Sequence, residues 1–117
     1  MATIRDLVAA VRRREGVDAV VVLGRDGLLI DGQAEGGLAA DDLAAHVPGI
    51  VSSADELGRA AGRGELLTAV LEFRSGLAIV SALSSDAILL VLTGSGAHVG
   101  PLLFELRRHR EQIAALV

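Results

Sequence analysis

The chain has no cysteine, lysine, asparagine, tryptophan or tyrosine, and its aromatic content stops at Phe73 and Phe104. Without cysteine there is no disulfide, no thiolate zinc site and no thiol nucleophile. Without lysine there is neither a phosphate-loop lysine nor a Schiff base. With two phenylalanines in 117 residues that are 51% hydrophobic, Leu, Val, Ile and Ala must build the core. Arginine supplies every fixed positive charge, and the net charge of -4 argues against general nucleic-acid binding. No apolar run approaches the roughly 18 to 20 residues of a membrane span. The opening Met1-Ala2-Thr3-Ile4-Arg5-Asp6 has no apolar signal core behind its charge. A soluble, cytoplasmic protein with no membrane insertion is expected, as one domain over residues 1–117.

What is present is an order of elements. Thr3 can cap a first helix, with Asp6 three residues on, and Ile4, Leu7, Val8 and Val11 form one buried face. Arg12, Arg13 and Arg14 suit the negative end of that helix, and Gly16 is a stop. Val17–Leu23 and Leu28–Asp31 are apolar strand runs joined by the Gly24-Arg25-Asp26-Gly27 turn, and Gln33–Gly37 reads as a loop. A long middle helix is expected from about Ala39 to Ala60, with Asp41 and Asp42 at its N-terminus. Leu43, Val47, Ile50, Ala54, Leu57 and Ala61 form its apolar stripe. Pro48 and Gly49 interrupt it, which predicts a kink near Ala44–Pro48 or, alternatively, two shorter helices.

Three more strands follow, Glu65–Arg74, Leu77–Leu83 and Ala87–Thr93, separated by Ser75-Gly76 and Ser84-Ser85-Asp86. The runs Leu77–Val80 and Ala87–Leu92 do not alternate, so both of their faces must be covered. Hairpin connections imply an antiparallel sheet, with helices on both sides. A last helix follows Gly94-Ser95-Gly96, with Ser95 as cap and Val99, Leu102, Leu103, Leu106, Arg110, Ile113 and Val117 on its inner stripe. The order α-β-β-α-β-β-β-α makes this an α+β chain. With so few reactive residues, it points to binding a protein rather than transforming a substrate, and no enzyme activity, cofactor or metal is expected.

The order, lengths and turns resemble the roadblock family, the dynein light chain 7-type domains. The resemblance is carried by Gly16–Leu23, Gly24–Ile30, the helix from Leu43 to Leu57, Leu71–Gly76, Leu77–Leu83, Asp86–Leu92 and Gly94–Arg110. It implies a five-stranded antiparallel sheet, the middle helix on one face and the terminal helices on the other, as in profilin-like folds. It also implies a homodimer in which the third strands of two subunits pair and the middle helices lie side by side. Leu43, Val47, Ile50, Ala54, Leu66, Thr68 and Val70 are then the expected interface. Independently, the strand Glu65–Arg74 would otherwise be a long open edge, which invites pairing with another chain.

Bacterial and archaeal family members regulate Ras-like small GTPases, including a gliding-motility type in which a dimer binds one GTPase. Some actinobacterial members belong to sets with a sensor kinase and a GTPase. The resemblance therefore implies a non-enzymatic regulator that binds a Ras-like small GTPase and modulates its nucleotide cycle. The alternative is a dimeric scaffold in a motility, kinase-signalling or transport complex, without effect on hydrolysis. The expected partner surface is the outer stripe of the middle helix, Asp42, His46, Gly49, Ser53 and Glu56, spaced 4, 3, 4 and 3.

Other constellations carry less. Arg12–Arg14 with Arg107, Arg108 and Arg110 could form a basic patch, but solvated helix faces explain them as well. His46, His98 and His109 are too scattered for a metal site, and Asp42 with His46 would need further ligands. Ser52, Ser53, Asp55 and His46 lie on one helix with no oxyanion hole, so no triad is expected. Gly94-Ser95-Gly96 reads as a tight turn rather than an anion loop. The strands have too few polar residues for a small-molecule pocket.

Overall fold

A computed structural model of the chain describes residues 3–117, so Met1 and Ala2, the start of the stretch read above for a signal, lie outside the described residues. The element order is α1 (Ile4–Arg12), β1 (Val17–Gly24), β2 (Leu29–Ala34), α2 (Ala40–Ala45), α3 (Val47–Ala60), β3 (Thr68–Phe73), β4 (Gly76–Ala82), β5 (Ala87–Thr93), α4 (Gly100–Arg108) and α5 (Arg110–Ala114). The strands form one antiparallel sheet in the order β2-β1-β5-β4-β3. The fold is α+β, as the pattern predicts.

The sheet is covered on both faces. Val20, Val22, Ile79, Leu89 and Val91 point toward α1, α4 and α5, where Leu7, Val8, Val11, Leu102, Leu106 and Ile113 meet them. Val21, Leu23, Val80, Ile88 and Leu90 point the other way, toward Ala44 of α2 and Val47 and Val51 of α3. This is why β1 and β5 are apolar at successive positions: each residue enters one of two cores, and each fully buried Val, Leu or Ile contributes roughly 1.5–3 kcal/mol. The edge strands differ. β2 follows an apolar run, yet Leu28 and Ile30 are more than half exposed.

Local chemistry places the turns. Between β1 and β2, the Gly27 N–H donates to the Gly24 carbonyl at 2.9 Å, and Gly27 adopts φ 89°, which a side chain would disfavour. The Asp26 carboxylate accepts the Leu28 N–H at 3.0 Å. In the β4–β5 turn, Ser84 Oγ accepts from the N–H groups of both Asp86 and Ala87. Thr3 caps α1 as expected, its Oγ1 accepting the Asp6 N–H at 3.1 Å.

Several expectations need correction. The middle helix is not one kinked helix but the alternative, two shorter helices, broken at His46 because Pro48 has no N–H to give the Ala44 carbonyl. His46 keeps φ -87° and ψ -12°, so the chain still follows a near-helical path across the break. The last helix begins at Gly100 with Val99 at its cap position, so Ser95 caps nothing, and it breaks again at His109. Val117 is 43% exposed and does not belong to the inner stripe. Gln33 and Ala34 belong to β2 rather than to a loop, while Glu65–Leu67 precede β3. Among the described residues, no helix is long and apolar enough to cross a membrane.

Candidate partner-binding surfaces

Two surfaces follow from how α2 and α3 sit on the sheet, and a third from the strand order. The buried side of the pair is Ala44, Val47, Val51 and Asp55, at spacings of 3, 4 and 4. The apolar stripe read from the sequence is turned away from that side by about one residue, or roughly 100°. Of its members only Val47 is buried, at 2% exposure. Val47 therefore packs on its own sheet and is not available to a second chain. Leu43 and Ala54 are half-buried, whereas Ile50 and especially Leu57, 72% exposed, face solvent.

Opposite the buried side lies the polar stripe. Asp42, His46, Gly49, Ser53 and Glu56 are all exposed, and the near-helical path through His46 keeps them on one face. His46 Nε2 and Asp42 Oδ1 are 3.8 Å apart, with both side chains about three-quarters exposed, so the pair contributes little to stability. The same geometry disposes of a triad, because Ser53 and His46 face solvent while Asp55 is buried on the sheet side. Among the described residues, no group of three or more His, Asp or Glu side chains could hold a metal ion.

The third surface is the outer edge of β3. This strand pairs with β4 from Thr68↔Ser81 to Phe73↔Gly76 and, among the described residues, has no strand on its other side. Ala69 and Leu71 pack toward α2 and α3. By the alternation of side chains along a strand, Phe73 shares their face and Val70 points to the other. Phe73 is 58% exposed and Val70 45%. Leu66 and Thr68 are half-buried and already engaged. The Leu66 N–H donates to Asp55 Oδ1 at 2.7 Å, and Thr68 Oγ1 accepts from Arg110 Nη2 at 3.3 Å.

Sequence reasoning missed three roles. Asp55 is a buried carboxylate that joins α3 to the segment before β3 and, through Oδ2, to Arg25 Nη1 at 3.4 Å. Arg110, the misfit on an apolar stripe, reaches from α5 to the Ala82 carbonyl and Thr68, tying the terminal helices to the edge strand. Arg12 does not contribute to a basic patch. It donates to the Val17 carbonyl at 2.7 Å and pairs with Glu35 at 2.9 Å, closing the end of α1 on β1 and β2. A polar residue at an apolar-stripe position was the available signal for Arg110; Asp55 lies off the stripe read from the sequence, which gave no signal for it.

Comparison with known proteins gives a consistent result. A sequence model described as the Roadblock/LC7 domain matches residues 3–93. The chain is similar to the crystal structure of a Roadblock/LC7 domain from Streptomyces avermitilis, with 27% identity, a TM-score of 0.83, and coverage of 97% of this chain and 96% of that one. It shares its fold with the gliding protein MglB of Thermus thermophilus, at 17% identity and a TM-score of 0.82, covering 96% of this chain and 86% of that one. An uncharacterised protein of Methanocaldococcus jannaschii is 27% identical over 104 residues, which is 89% of this chain and 90% of the relative.

Proposed function

The chain belongs to the Roadblock/LC7 domain family, and from that premise we propose that it works as a homodimer that binds a Ras-like small GTPase and modulates its nucleotide cycle. One observation carries the reading: the open edge of β3 and the outward apolar residues Ile50, Leu57 and Phe73 leave the protomer unfinished. Edge strands of this kind are usually blunted or covered. Antiparallel pairing of two β3 strands covers the edge, and side-by-side α3 helices cover Ile50 and Leu57.

In that dimer, the polar stripes Asp42–Glu56 of both protomers form one composite face. The face acts without a catalytic group of its own. It shifts the GTPase between switch conformations by binding one more tightly than the other, and the shift is bounded by that difference in affinity. The complex forms in the cytoplasm, where such GTPases act. The test is affinity capture on the immobilised dimer, with lysate supplied with a GTP analogue or with GDP. Hydrolysis by the purified captured GTPase is then measured with and without this protein. A GTPase enriched in one nucleotide state, with an altered hydrolysis rate, is the expected result. Absence of any GTPase from both eluates refutes the reading, and capture with an unchanged rate reduces it to a scaffold.

A further inference from the structure

We propose that the pocket between the β1–β2 turn and the flank of α3 is an oxyanion site, in which Arg25 and Arg59 hold a carboxylate or phosphate group. Pro48, Ser52, Asp55 and Arg59 recur at spacings of 4, 3 and 4 and form one wall, and Arg25 and Ile88 close the other. The cavity measures about 180 Å³. That suits a single acidic group with its hydration, and falls short of the roughly 300 Å³ from which small-molecule pockets begin.

The donors in this pocket outnumber its acceptors. Its charged lining is two guanidinium groups and one carboxylate, a net charge of +1. The carboxylate is committed: Asp55 Oδ1 takes the Leu66 N–H, and Oδ2 takes Arg25 Nη1 at 3.4 Å, near the outer limit of a hydrogen bond. Arg25 Nε is buried and has no acceptor among the described residues. Asp26, in the same turn, is directed to the Leu28 N–H instead. Arg59 makes no ion pair among the described residues. A small turn of the Arg25 guanidinium offers an entering oxyanion both Nε–H and an Nη–H, the side-on fork that arginine makes with carboxylate and phosphate. Arg59 and the Ser52 hydroxyl add donors from the helix. Water can satisfy one orphaned N–H; an oxyanion satisfies the fork and the excess charge together.

Arginine Nε–H resonances in heteronuclear NMR read this site directly. The protein is titrated with sodium phosphate, sodium acetate and sodium chloride at matched ionic strength. The Arg25 and Arg59 signals should move saturably with phosphate or acetate and not with chloride. The tighter of the two identifies the source, a phosphate group or the carboxylate of an acidic side chain. Arg59→Gln should weaken the Arg25 response about tenfold, the worth of one charge-assisted contact. Amide signals of β1 and β5 report that the variant remains folded. Responses at Arg25 and Arg59 no larger than at the exposed Arg107 and Arg108, or equal responses to chloride, overturn the proposal. No GTPase enters the measurement, so its outcome is independent of the regulatory reading.

Discussion

Replacing Asp55 by alanine should destabilise the protein by about 3 kcal/mol, far more than its place on a polar-rich helix suggests. Asp55 is 7% exposed, and its two oxygens do different work. Oδ1 accepts the Leu66 N–H at 2.7 Å, and a hydrogen bond to a charged group contributes about 1.5–3 kcal/mol. Its removal also leaves a part-buried N–H without an acceptor. Oδ2 meets Arg25 at 3.4 Å, and the Arg25 side chain is 31% exposed. Solvent screens that pair, which we place below about 1 kcal/mol. Asp55→Asn keeps a carbonyl oxygen for Leu66 and should therefore cost only about 1 kcal/mol. Arg25→Ala should cost no more than that, since it also removes the orphaned Nε. Urea unfolding at one fixed protomer concentration measures all three, because self-association would otherwise shift the midpoint. If Asp55→Asn is as damaging as Asp55→Ala, the ion pair dominates and the argument from Leu66 is wrong. Equal losses below about 0.5 kcal/mol in all three would mean that the carboxylate holds nothing together.

Four other outcomes follow from the same geometry. Val70→Asp places a charge on the open edge of β3, and light scattering should show loss of the dimer with unchanged circular dichroism; unchanged mass rejects this interface. His46→Glu combined with Glu56→Arg alters two exposed side chains, so stability should change by less than about 0.5 kcal/mol while GTPase binding in titration calorimetry disappears. Gly76→Ala should cost more than about 3 kcal/mol in the same urea assay, because Gly76 has φ 152° and an added Cβ would run into the Thr93 carbonyl of β5. Arg110→Ala loses bonds to Ala82 and Thr68, about 1 kcal/mol in all, and hydrogen exchange should rise at the start of β3 while β1 stays protected.

The inner strands were legible because burial on both faces leaves a strong mark. Ala87–Thr93 is a strand over the very residues its run suggests, and β1 extends the expected Val17–Leu23 by one residue. The edges were less legible, because an edge strand's length is decided by its neighbour. β3 was expected from Glu65 but begins at Thr68, since its ladder on β4 starts at the Thr68–Ser81 pair. β2 runs on through Gln33 and Ala34, which read as loop, because they lie opposite Val20 and Ala19 of β1. Polar residues are tolerated there, as the outer side of an edge strand meets water.

The middle helices were harder for a different reason. Leu43, Ala44, Val47, Ile50, Val51, Ala54 and Leu57 together span an arc of about 140° at 3.6 residues per turn, wider than the roughly 100° that one buried face requires. A stripe that broad has no unique inward direction. Reading it as Leu43–Val47–Ile50–Ala54–Leu57 selects one flank, whereas the sheet takes the other, Ala44–Val47–Val51, and admits Asp55 because Leu66 and Arg25 satisfy its oxygens. One sheet face cannot use both flanks. The surplus is Leu57, 72% exposed, with Ile50 at 36% beside it. The dimer proposed above would give them a second apolar contact, with the open edge of β3 as the line along which the second copy would align. Leu57→Arg distinguishes this from chance: a helix built for one partner tolerates it in every respect, whereas a helix built for two keeps its protomer fold and loses its dimer.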